Sequence, residues 1–256
     1  LITRATGANM GLADTLETFS IYGQATTASS ELSRILIQFP IDKFDTDRSA
    51  SVIPASGSVN FFLRMYNAEH TFTLPKNFNL NISAVAKKWQ EGYGLDADEY
   101  KDLSYDDEGA NWINARKPAG ATTVAWSSEG GDIISDTSSS YTASFENGTE
   151  DIEVDITTLV EQWMGSAGNV LGSKTNYGVL IGYPPAQESA TRSYYTKKFF
   201  ARSSQYYLKR PTIEARWDSS KKDSSGDFFL SSSLATGAEN LNTIYLYNYI
   251  RGQLRN

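Results

Sequence analysis

The sequence predicts an all-β protein: an antiparallel, jelly-roll-like β-sandwich with two short lid helices, then a linker and a strand-forming C-terminal segment. Three observations carry this reading. At least eight short segments alternate apolar and polar residues and are separated by breakers, which is the pattern of strands with one buried face. The composition is 12% aromatic, with 15 Tyr, 12 Phe and 5 Trp, and it is interrupted by 19 Gly, which favours pleated strands and turns over long helices. The third is a device used twice, in which an alternating run enters a hydroxyl residue and then an aliphatic residue four positions before a Trp.

In its first copy the device runs Phe78, Leu80, Ile82, then Ser83, Val85 and Trp89; in its second, Ile152, Val154, Ile156, then Thr157, Leu159 and Trp163. Ser83 and Thr157 are read as N-caps, and the i, i+4 spacing puts one ring over one aliphatic side chain on a helical turn. Gly92 and Gly94 stop the first turn, and Gly165 and Gly168 the second. Both tryptophans are therefore read as plugs over the end of a sandwich.

The remaining elements follow in order. Residues 33–39 alternate Ile35, Ile37 and Phe39 against Arg34, Leu36 and Gln38 and meet Pro40, a strand with a hard stop. Residues 42–54 are polar and rich in breakers and read as a loop. In residues 58–66, Val59, Phe61, Leu63 and Met65 share one face, while Phe62 and Tyr66 show that the other face is partly covered. Residues 96–108 are crowded with carboxylates and read as an exposed loop, as do residues 127–142. Residues 177–183 form a buried strand, residues 193–201 alternate with Lys197 and Lys198 among them, and residues 211–217 close the fold through Ile213, Ala215 and Trp217.

Residues 218–226, Asp-Ser-Ser-Lys-Lys-Asp-Ser-Ser-Gly, have linker composition and divide a sandwich of residues 1–217 from a segment of residues 227–256. That segment holds Phe228, Phe229 and Leu230, and a run from Ile244 to Ile250 that is apolar on both faces. It has too little chain to close a core of its own. Phe228, Phe229, Ile244, Tyr245, Leu246, Tyr247 and Tyr249 are thus the predicted docking residues. The chain opens Leu1-Ile2-Thr3-Arg4, without Met, and is read as a piece of a longer or processed polypeptide.

Several function classes are excluded by what the residues lack. A formal charge of −7 is the wrong sign for a sequence-independent nucleic-acid binder. No apolar run approaches the roughly 20 residues of a membrane span. With no Cys and one His, neither a disulfide framework, a thiolate nucleophile nor a zinc centre has its residues. That single histidine, His70, has no strained Gly-x-Ser-x-Gly turn to serve, and no phosphate-binding glycine loop occurs. No catalytic residue is assigned, and the chain is expected not to be an enzyme; no cofactor is required.

Two weaker constellations remain. Asp96, Asp98, Glu99 and Asp102 offer hard oxygen ligands of the kind calcium takes, and Asp96-x-Asp98 opens like a calcium loop, but no Gly at the sixth place or Glu at the twelfth follows. Tyr93, Tyr100, Tyr105 and Trp112 flank the same loop and are the aromatic faces on which a glycan ring would stack. The sequons at Asn81 and Asn147 carry meaning only in a eukaryotic secretory setting.

The segments Ser33-Arg34-Ile35-Leu36-Ile37-Gln38-Phe39, Trp89-Gln90-Glu91-Gly92, Gly109-Ala110-Asn111-Trp112, and Val154-Asp155-Ile156-Thr157 through Trp163 to Asn176-Tyr177-Gly178-Val179 together resemble the DNRLRE family over residues 1–217. Here Phe39 is followed by Pro rather than Asp, and the family's late Ser-Arg-Glu element reads Arg202-Ser203-Ser204. The resemblance implies a jelly-roll-like sandwich without catalytic residues, of the kind carried by tailed-phage virions and bacterial extracellular proteins. The function expected from it is a virion structural module (a capsid decoration, fibre or tail-attached protein) docking on other virion proteins or on copies of itself. The alternative is a carbohydrate-binding or adhesion module of a secreted or surface protein.

Overall fold

The computed structural model describes residues 7–24, 29–70, 75–95, 108–118, 120–165, 171–190 and 193–218, and then 226, 228, 232–238, 240–246, 248–250 and 253–255. Two compact units divide the chain, Leu1–Arg216 and Trp217–Asn256.

The first unit is an all-β sandwich of antiparallel sheets. One four-stranded sheet has the order β3 (Ile35–Ile37), β10 (Val179–Gly182), β5 (Phe78–Ala84), β8 (Ser140–Phe145). Facing strands come from a sheet of β12 (Thr212–Arg216), β4 (Asn60–Met65) and β9 (Ile152–Asp155), and from one of β11 (Tyr194–Phe200), β1 (Thr15–Gln24) and β2 (Ser29–Ser33). The last two are tied together just past β4, where Asn67 lies opposite Phe199 and the Phe200 N–H donates to the Tyr66 carbonyl. A small ribbon, β6 (Asn114–Arg116) with β7 (Val124–Ala125), stands apart.

Alternation does the sorting, because a period of two sends every second side chain inward. Phe61, Leu63 and Met65 from one layer meet Leu80, Ile82, Val179 and Ile181 from the other in one continuous core. The outward residues of β4 are covered by charge. Arg216 lies 4.3 Å over the Phe62 ring and Arg64 5.2 Å over Tyr66, and both guanidinium groups bridge Glu153 and Glu214 on the flanking strands. Hydrogen bonds from Arg216 hold both carboxylates below their usual range.

The second copy of the repeated device folds as predicted. Its helix α2 (Thr157–Met164) buries Leu159 and Trp163 in the core and ends at Gly165, which takes the left-handed φ of 57°. Thr157 does not cap with its side chain; its hydroxyl oxygen accepts the Phe61 N–H at 2.8 Å and so pins α2 to β4.

The first copy is not a helix, which corrects the prediction of two lids. Strand β5 continues through Ala84, and the next residues stay in the ladder: Val85 N–H donates to Gly178 and Ala86 N–H to Asp132, while the Ala84 carbonyl accepts from Ile134. β5 is central, between β10 and β8, so both edges of its backbone are occupied and no carbonyl is free to start a turn. Trp89 still plugs the fold, joining Val85, Ala110, Ala115, Trp126 and Leu180 in a satellite cluster and donating its indole N–H to the Tyr177 carbonyl at 2.7 Å.

A second correction falls on residues 42–54, where the polar stretch contains helix α1 (Asp42–Ser49) rather than only loop. No residue of it is buried, so hydrophobic periodicity could not reveal it. It is held instead by Arg48, whose two terminal nitrogens donate to the two Glu161 oxygens of α2 at 2.7 Å each. Phe44 packs on Phe61 at 5.3 Å.

The fully buried residues of strand β1 are hydroxyls, beside Leu16, which packs against the core. Thr18 and Ser20 are fully buried and satisfied, Thr18 by donating to the Ser33 carbonyl and Ser20 by accepting from the Ser193 hydroxyl and donating to the Gln187 carbonyl. Helix α3 (Pro185–Glu188) supplies that last acceptor.

In the second unit β13 (Asn248–Ile250) pairs with β14 (Gln253–Arg255), so the strand predicted from Ile244 begins four residues later. Asn240 ties the loop before it, donating to the Ser232 and Ala235 carbonyls and accepting the Ser232 N–H.

Candidate functional site

The loop-side candidates separate by what their neighbours do. Tyr93 is exposed, at 57%, on a segment built from glycines: a Cβ at Gly92 would sit 1.9 Å from the Asn9 side chain, and one at Gly94 would sit 1.8 Å from the Asn9 carbonyl. The two glycines that were expected to stop a helix therefore admit Asn9. Its Oδ1 accepts the Gly94 N–H at 2.9 Å and its Nδ2 donates to the Glu108 carbonyl at 2.9 Å, so one side chain closes both ends of the acidic segment.

Trp112 is half-buried and one face of its ring is taken. The Arg34 guanidinium lies 5.0 Å from the ring centroid, fixed by a bidentate pair with Glu188 and by a bond to the Gly130 carbonyl at 3.0 Å. Gly130 lies against the ring edge so closely that a Cβ there would come within 2.9 Å. Tyr100, Tyr105, Asp96, Asp98, Glu99 and Asp102 lie outside the described residues. Among the described residues no group of three or more His, Cys, Asp or Glu side chains is placed to hold a metal ion.

His70 is fixed as a neutral acceptor. Its Nε2 takes the Lys198 backbone N–H at 2.9 Å, and burial, followed by the charges of Lys198 and Lys197, pulls its pKa from 6.5 to about 4. Between those values the unfolded chain binds a proton that the folded chain refuses. The stabilisation is therefore complete above pH 6.5 and is lost progressively as pH falls toward 4. Because the chain has a single histidine, urea unfolding across this window should show the slope, and His70→Gln should flatten it.

Sequence reasoning missed an exposed turn between β11 and β12. Tyr206, Tyr207 and Leu208 project there, with Lys209 over the Phe200 and Tyr206 rings and Arg210 over Tyr207. The signal available was the run Tyr206-Tyr207-Leu208-Lys209-Arg210 directly before Pro211, in which nothing alternates.

The C-terminal candidates lie in the second unit. Phe228, Ile244, Tyr245 and Leu246 are all exposed, Leu246 at 93%, and the unit adds Leu241 and Leu234 at 97%. Tyr249 lies in β13 opposite Leu254. Phe229 and Tyr247 lie outside the described residues. A two-stranded hairpin is marginal by itself, and the exposed apolar side chains of this unit would gain from cover.

No family model matches this sequence, and no curated protein matches it.

Proposed function

We propose that the chain is a non-catalytic structural module of a tailed-phage particle, a DNRLRE-type sandwich that docks through its C-terminal segment on another virion protein or a second copy of itself. The observation that carries this reading is the second unit: a lone hairpin and loop whose Leu234, Leu241, Ile244 and Leu246 side chains face solvent. Leaving four aliphatic side chains of this size in water forgoes about 1.5–3 kcal/mol each, a gradient toward association. The sandwich supplies rigidity, since its core is closed by α2 and Trp89.

Removing residues 218–256 should leave a folded sandwich with unchanged far-UV dichroism that no longer self-associates or binds particles. Light scattering on both forms decides it: association that survives the deletion removes the docking role. A carbohydrate-binding module is the competing reading, and exposed Tyr93 is the observation in its favour.

A further inference from the structure

The middle of β11 carries a lysine where a core residue belongs. Lys197 is fully buried, two residues before Phe199 and on the same face of the strand. Its Nζ lies 4.8 Å from the Phe145 ring centroid and 5.2 Å from that of Phe199, and no carboxylate pairs with it among the described residues. Its polar neighbours are three oxygens: the Gly148 carbonyl at 2.9 Å, the Glu150 carbonyl at 2.7 Å and Asn67 Oδ1 at 2.6 Å.

Asn67 reaches this place because it lies opposite Phe199 just past β4, which makes it the diagonal, same-face neighbour of Lys197. Three acceptors match the three hydrogens of an ammonium, so Nζ donates to the Asn67 carboxamide oxygen in this structure. Loss of one proton leaves the Gly148 and Glu150 carbonyls to accept the remaining two hydrogens and frees a lone pair beside the Asn67 amide.

We propose that Lys197 Nζ and the Asn67 side chain join in an intramolecular isopeptide bond, a covalent tie between β11 and the chain beyond β4. The Nζ lone pair adds to Asn67 Cγ, and the tetrahedral carbon expels Nδ2. One proton passes from Nζ to Nδ2, so an amide forms and ammonia leaves, with no oxidant or reductant needed. That proton is assigned to Glu150, the carboxylate whose charge acts most on Lys197 and whose Oε2 is buried without a hydrogen-bond partner. Its other oxygen, Oε1, accepts the Glu146 and Asn147 N–H groups and fixes the carboxylate in the turn. Burial, outweighing the pull of Glu150 and Asp151, brings the lysine down to about 8, within reach of the uncharged form the addition requires.

The tie would close a loop between residues 130 positions apart, the kind of long closure that most restricts an unfolded chain. Intact mass spectrometry of the full chain, purified folded and then denatured, tests it. The expected mass is that of the sequence less one ammonia, and proteolysis should yield a branched peptide joining Asn67 to Lys197. Asn67→Ala should return the full sequence mass and melt at a lower temperature. Glu150→Gln, which keeps the turn's Oε1 acceptor, should give a folded chain of full mass. Wild-type protein of full mass overturns the proposal, as does loss of ammonia with Lys197 still free, the signature of a succinimide at Asn67. A cross-linked Glu150→Gln chain overturns the proton-carrying role.

Discussion

Glu161→Ala should destabilise the sandwich by about 3–5 kcal/mol, read as a fall in the urea midpoint at constant slope. The carboxylate is only 1% exposed and receives both terminal nitrogens of Arg48, itself 10% exposed. Removing it leaves a guanidinium against the Phe61 ring, 5.9 Å from its centroid, in a place water barely reaches. The cost comes from that stranded charge more than from the lost attraction, so replacing both members by methionine should recover most of it. Because the pair is shielded, added salt should change the difference little. A midpoint shift equal to that of an exposed pair would show that α1 does not depend on Arg48.

Gly178→Ala should cost about 3 kcal/mol or more, for two independent reasons. The residue has φ of +81°, where an L side chain is strained, and an added Cβ would lie 2.1 Å from the Ile37 carbonyl oxygen and 2.8 Å from Gln38 Cα. Both contacts are backbone, so relief requires β3 to move away from β10. Asn176 holds the same turn, accepting the Gly178 N–H at 2.9 Å and donating to the Phe39 carbonyl at 2.8 Å. Asn176→Ala should therefore weaken the same junction by the smaller amount of a lost side-chain hydrogen bond, about 1 kcal/mol. Thermal unfolding of the two variants orders them; equal losses would remove the steric argument.

Where side chains alternate with one buried apolar face, the strands were legible: β4, β5, β9 and β10 lie where Phe61, Leu80, Ile152 and Ile181 put them. Legibility failed wherever burial was achieved by polar means. Strand β1 buries Thr18 and Ser20 and α1 is fastened by Arg48, neither of which a hydrophobic period can register; β11 was legible as an alternating segment, but the burial of Lys197 was not. The repeated Trp device failed once for a different reason. Val85 and Trp89 have the spacing of a helical turn, but spacing cannot say whether the preceding strand is central or at an edge. Of the candidate site residues, the exposure of Leu246 and Ile244 followed from a tail too short for a core, whereas the contact of Trp112 with Arg34, distant in sequence, had no local signal.

The outer face of β4 sets a rule for how copies of this chain can crowd together. Phe62 and Tyr66 would make that sheet adhesive, but Arg216 and Arg64 lie flat on the rings while already committed to Glu153 and Glu214. An approaching surface would have to strip charges that are already matched, and would gain nothing for them. This face resists indiscriminate stacking and behaves as a spacer, which confines contact between copies to the sides of the molecule left unarmoured.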